Sequence, residues 1–164
     1  MPTPTPRRIS PAERRARLKR LFEIKQRLGF VGRVEYRHVF GIQAGGAQYG
    51  LATRPQDDLL IVYADAFERD ADPEDFSLEA ILAHECGHQL LARHPRLARQ
   101  VAGRISPASE EILASIVGAI LCRAKADRDA LLGKATVALL SHGEEPDSAT
   151  RQIQALLDHL EQLL

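Results

Sequence analysis

Ile81-Leu82-Ala83-His84-Glu85-Cys86-Gly87-His88-Gln89-Leu90-Leu91 is the stretch whose reading decides how this chain folds. At its centre stands His-Glu-x-x-His. Four residues span slightly more than one helical turn, so on a helix the rings of His84 and His88 lie on one face and can share a metal. Glu85 follows the first histidine directly and projects about 100° around the helix. It can flank such a metal without ligating it, which is where a general base for a metal-activated water must sit. Leu78, Ile81, Leu82, Leu90 and Leu91 supply apolar contacts on the other sides, so the helix is expected to be buried. Cys86 has suitable chemistry for a ligand but points nearly opposite to His84, and reads as a buried structural thiol.

Outward toward the N-terminus, the period changes from helix to strand. Val34, Tyr36, His38 and Phe40 alternate with Glu35, Arg37 and Val39, the pattern of a half-buried strand. Ala44-Gly45-Gly46-Ala47 reads as a hairpin turn, with Ala47, Tyr49 and Leu51 on the return strand. Leu59 to Ala64 is a continuous apolar run, expected of a strand buried on both faces. Three strands, forming a small antiparallel sheet, are thus expected before the His-Glu-x-x-His helix. That helix should begin within Asp72-Pro73-Glu74-Asp75 or at Ser77 and end at Pro95. Before the strands, Ser10-Pro11-Ala12-Glu13 reads as a capping box opening a helix that carries Leu18, Leu21, Phe22 and Leu28 and stops at Gly29. Residues 1–9, punctuated by proline, read as a disordered leader, leaving 10–164 as one domain.

Toward the C-terminus, Ser106-Pro107 opens a helix with Ser106 as its cap. On it Glu111, Ser115, Gly118 and Cys122 share a stripe. All but Glu111 are small, so another helix can approach closely and meet one carboxylate. A further helix is expected from about Arg123 to Leu140, then a loop over His142–Asp147. A last helix from Ser148 to Leu164 would present Ile153, Leu156, Leu157 and Leu160 on one face. The fold class is therefore α+β, with the sheet packed on the central helix and further helices at both ends.

A catalytic zinc has three protein ligands and one open position. Two residues are candidates for the third ligand. His94 completes a His-Glu-x-x-His-x-x-x-x-x-His spacing like that of the metzincins. Those enzymes turn the chain with a glycine where this chain has Leu91, and no methionine follows for a Met-turn. On a continuing helix His94 lies about 600° from His88, equivalent to about 120° away. The other candidate is Glu111, in Glu111-Ile112-Leu113-Ala114-Ser115, with Glu110 as its neighbouring fallback or a first-turn acid.

Here the sequence resembles the gluzincins, and more narrowly the ImmA/IrrE family of small metallopeptidases. The resemblance takes in the three-strand segment, His-Glu-Cys-Gly-His-Gln-Leu-Leu and the Glu111–Leu121 helix. In that family the glutamate helix tends to read Glu-x-x-Ala-Asn/Asp-x-Phe-Ala-x-x-Leu. This chain keeps Glu111, Ala114 and Leu121 but departs from the pattern with Ser115 for Asn/Asp, Val117 for Phe and Gly118 for Ala, and with Arg123-Ala124 where Met-Pro often follows. The resemblance implies zinc held by His84, His88 and Glu111, with Glu85 as the general base of an endopeptidase. It also implies that the residue one turn after Glu111, here Ser115, bonds the first zinc histidine. The substrate it implies is a helix-turn-helix transcriptional repressor. An oxyanion-assisting residue is unassigned among Tyr36, His38, Tyr49, Tyr63 and His142.

Composition bounds these readings. The chain of 164 residues is 45% hydrophobic, enough for a real core. Its 22 basic residues balance 22 acidic ones, which gives no global attraction to nucleic acid or membrane. The basic residues Arg14, Arg15, Arg17, Lys19 and Arg20 of the first helix read as a solvated face rather than a nucleic-acid surface. Two cysteines without a pattern, no spanning apolar run and no hydrophobic core of a signal after Met1 lead to the expectation of a cytoplasmic protein. The alternative to an enzyme is a metal-stabilised module that binds a partner without cutting it. Such a site closes its fourth position and has no use for Glu85.

Overall fold

The structure, a computed structural model, describes residues 7–42, 45–101 and 107–164. The first six residues of the expected leader, Ala44 of the expected turn and the Ser106 cap lie outside the described residues. The chain forms two compact units, one ending at Leu78 and one running from Glu79 to Leu164.

The first unit opens with α1 (Pro11–Leu28), where the Ser10 hydroxyl accepts from the Glu13 N–H at 3.0 Å and Pro11 takes the position that needs no donor. Gly29, at φ 73°, closes it in the left-handed conformation that only glycine adopts freely. Leu21, Ile24 and Leu28 are its buried residues, whereas Phe22, expected inside, is exposed. On its basic face Arg14, Arg15, Lys19 and Arg20 are exposed and Arg17 is half-buried. Arg17 bonds Glu13 and the Tyr36 hydroxyl, and Arg20 forms a two-pronged pair with Asp70.

Three strands follow: β1 (Arg33–Arg37), β2 (Ala47–Gly50) and β3 (Leu59–Tyr63). Their order is β1-β3-β2, with β3 parallel to β1 and antiparallel to β2. The α+β class holds, but the sheet is mixed rather than antiparallel, and β1 and β2 do not pair as a hairpin. The reason lies in β3. Leu-Leu-Ile-Val-Tyr has no polar side, and such a strand is best placed where both its edges are paired and its faces covered. The alternating β1 and β2 suit the edges. Leu60 and Val62 are fully buried and Leu59 and Ile61 half-buried, so one face of β3 is better covered than the other. The strand ends one residue earlier than expected, because Ala64 begins a short helix, α2 (Ala64–Asp70).

The second unit is helical. The helix α3 (Leu78–Arg93) starts right after Ser77, not at the Asp72–Asp75 alternative. Pro95 opens α4 (Pro95–Val101) as well as closing α3, since proline fits a helix's first position. Then come α5 (Pro107–Leu121), α6 (Lys125–Ser141) and α7 (Pro146–Leu163). Leu97, Ile112, Ile116, Val117, Ile153 and Leu157 belong to their common core. Residues 114–119 of α5 are all buried, which makes α5 the centre of this unit. Among the described residues no helix is long and apolar enough to cross a membrane.

Candidate metal centre

The site is set by how closely two helices touch. A Cβ on Gly87 of α3 would overlap the Ala114 carbonyl oxygen, and one on Gly118 of α5 would sit 2.7 Å from the Ala83 carbonyl oxygen. Glycine at both contacts lets the two backbones meet directly. The small stripe on α5 therefore receives α3, and residue pairs 83–118 and 87–114 show that the helices run in opposite directions. Glu111 is carried to the level of His84 and His88.

There the three side chains converge. The Glu111 carboxylate lies 3.0 Å from Nε2 of His84 through one oxygen and 3.1 Å from Nε2 of His88 through the other. One donor atom from each of the three residues lies within 4.8 Å of the others, the one such group among the described residues. The two imidazole rings stand edge to face, with centroids 4.9 Å apart. The remaining ring nitrogens are also met from α5. Nδ1 of His84 is 3.0 Å from the Ser115 hydroxyl, and Nδ1 of His88 is 3.2 Å from a Glu110 oxygen.

Burial and charge define the protonation of this group. Burial pushes the His84 imidazole below its ordinary value, against the pull of Glu111. The hydrogen bond from His84 holds the Glu111 carboxyl down to about 2, with the nearby His84, His88 and Lys134 adding to the effect against partial burial. Toward an ionised Glu111, Nε2 of His84 is the donor, and in the neutral ring Nδ1 then accepts from Ser115. A hydroxyl donates and accepts equally well. The same Ser115 contact thus survives if a metal takes Nε2 and the proton moves to Nδ1.

The other expected residues fall as follows. Glu85 is half-buried on α3, next to His84 and outside the converging group. His94 is also outside it, at the α3–α4 junction, where its Nδ1 accepts from the Leu97 N–H at 3.5 Å as a cap of α4. Cys86 is buried, and burial lifts its thiol to about 12, which leaves it an inert packing group. Of the oxyanion candidates, Tyr36 bonds Arg17 and His38, Tyr49 bonds Asp58, and Tyr63 bonds Gln48, all within the first unit. His142 is exposed at the end of α6. Two further residues act on the site: Gly87 as a packing residue and Lys134 as a charge. The first had a signal in the sequence, since glycine is costly inside a helix unless something sits against it. The second had none, because it depends on how α6 turns back along α5.

Two imidazoles and one carboxylate are the donor chemistry of a three-ligand zinc site. The residues present fit that ion. Compared with known proteins, the chain matches no family model, no curated protein and no solved structure.

Proposed function

We propose that the protein is a zinc-dependent endopeptidase of the ImmA/IrrE type. His84, His88 and Glu111 would hold the ion, and Glu85 would act as general base. The observation that carries the reading is the convergence of Nε2 of His84 and Nε2 of His88 on the two oxygens of Glu111. A third donor brought from a separate helix is what two histidines one turn apart lack. Zinc at such a donor set supplies Lewis acidity toward a carbonyl oxygen and a lowered pKa for water.

The chain's own residues do the rest. Ser115 meets Nδ1 of His84 and fixes that ring. The close α3–α5 contact keeps all three ligands at one level. Glu85, adjacent to a ligand but outside the ligand set, takes the proton of the attacking water and returns it to the leaving amine. A base beside the ligands distinguishes this reading from a closed structural site. The substrate class is a cytoplasmic regulatory protein such as a helix-turn-helix repressor, and both cysteines, free and buried, suit a reducing compartment.

The test is zinc content and turnover of the parent and of Glu85→Gln. Glu85→Gln should keep about one zinc per chain while lowering turnover by roughly 10²- to 10⁴-fold, the usual range for a lost general base. Loss of zinc in this variant, or undiminished cleavage, contradicts the role.

A further inference from the structure

The two histidines are supported differently, and the difference gives Glu110 a role. His84 is buried and its Nδ1 meets the buried Ser115 hydroxyl at 3.0 Å. The His88 ring is less enclosed, and its Nδ1 meets the Glu110 carboxylate at 3.2 Å. Its Nε2 lies 3.1 Å from Glu111. Glu110 and Glu111 are consecutive on α5, so their side chains leave the helix about 100° apart and reach the two nitrogens of one ring from different sides. Glu110 is not among the three residues whose donor atoms converge. It holds the ring without joining the ligand set.

Building on the metal reading above, we propose that Glu110 is a positioning residue: its carboxylate accepts from Nδ1–H of His88 and so turns Nε2 toward Glu111 and the ion. An imidazole left free at Nδ1 can rotate about its Cβ–Cγ bond, where the torsional preference is broad. A carboxylate at Nδ1 removes that freedom and raises the ring's basicity as a ligand. The helix α5 then supplies the third ligand and the orienting partner of each histidine. The competing role for Glu110 is a first-turn acid that favours the α5 dipole. The two roles differ in what they do to His88.

The experiment compares Glu110→Ala and Glu110→Gln with the parent, by zinc competition titration and by ring-nitrogen NMR of the zinc-loaded protein. Glu110→Ala should weaken zinc about 10-fold, the lower end for loss of such a partner. The Nδ1–H signal of His88 should lose its protection from solvent exchange while that of His84 keeps it. Glu110→Gln retains an oxygen acceptor and should restore most of the affinity. Zinc affinity within about two-fold of the parent and an unchanged His88 signal in Glu110→Ala overturn the proposal. So does an equal loss in both variants without a change at His88, which assigns the effect to helix charge. A parent that binds no zinc fails at the first titration, before any substitution, and takes the metal reading down with the proposal.

Discussion

Among the described residues, two clusters hold a histidine by both ring nitrogens, and they are built differently. In the first unit Arg17 donates to the Tyr36 hydroxyl at 2.7 Å, Tyr36 bonds Nδ1 of His38 at 2.8 Å, and Nε2 of His38 meets the Arg7 carbonyl at 2.5 Å. Hydrogen bonds run one way through that chain and end on a backbone oxygen. Both nitrogens of the His38 ring are used, and Arg17 also stacks over the Phe67 ring at 4.6 Å. In the second unit the bonds do not pass along a line. Nε2 of His84 and Nε2 of His88 face the same carboxylate, so three good donors of electron pairs crowd one small space. A satisfied histidine is ordinary; two that face one carboxylate form a donor set that could hold a cation.

The largest effect expected from this contrast is on zinc itself. His84→Ala or His88→Ala should abolish stoichiometric zinc, because two remaining ligands hold it poorly. His38→Ala should leave zinc content untouched and cost about 1 kcal/mol of stability through its lost hydrogen bonds. Metal analysis of the three purified variants checks this. Full zinc in a His84 or His88 variant, or its loss in the His38 variant, breaks the contrast.

Next in size is the packing that makes convergence possible. Gly87→Ala places a Cβ on the Ala114 carbonyl and should cost about 1–3 kcal/mol, as overpacking does. Gly133→Ala on α6 meets nothing within 4 Å and should stabilise by about 0.5–1 kcal/mol. Urea unfolding of both variants measures the difference. Equal behaviour would mean that α3 and α5 are not held at the distance described.

The same contrast separates what is legible in the amino-acid sequence from what is not. The His-Glu-x-x-His helix, the Ser10 cap, the Gly29 stop and the small stripe on α5 are local rules of spacing and capping, and each stands in the fold. Strand pairing was not legible. Val34–Phe40 and Ala47–Leu51 look like a hairpin because alternation and a Gly-Gly turn are local signals, whereas insertion of β3 between them is a long-range choice made by its apolar run. The short helix α2 was hidden for a related reason, since its seven residues are too few to show a period. At the site, the stripe pointed to Glu111, but nothing in the sequence could tell that the next carboxylate, Glu110, would face the second histidine.

The smallest expected effect is a pH dependence in the first unit. Burial disfavours the charged form of Asp70, but the Arg20 guanidinium and the Leu78 N–H outweigh it and hold the carboxyl below its ordinary value. A carboxyl lowered by folding stabilises the fold above its unfolded value, about 3.9, and loses that contribution as pH falls through the folded value. Asp70→Asn should therefore cost under about 1 kcal/mol at neutral pH, in the range of a surface pair. The cost should shrink as the solution is acidified below about pH 4. Denaturant midpoints of parent and variant across that range measure it, and a difference that grows on acidification contradicts the sign.

In the proposed reading, Glu111 is the residue that turns two histidines into a three-ligand site. Its direct test is zinc affinity of Glu111→Ala and His94→Ala, measured side by side at one fixed pH because protons compete at histidine. The geometry predicts that Glu111→Ala weakens zinc far more than His94→Ala, whose ring caps α4 outside the converging group. If His94→Ala strips the metal while Glu111→Ala keeps it bound, the site has been assigned to the wrong third ligand.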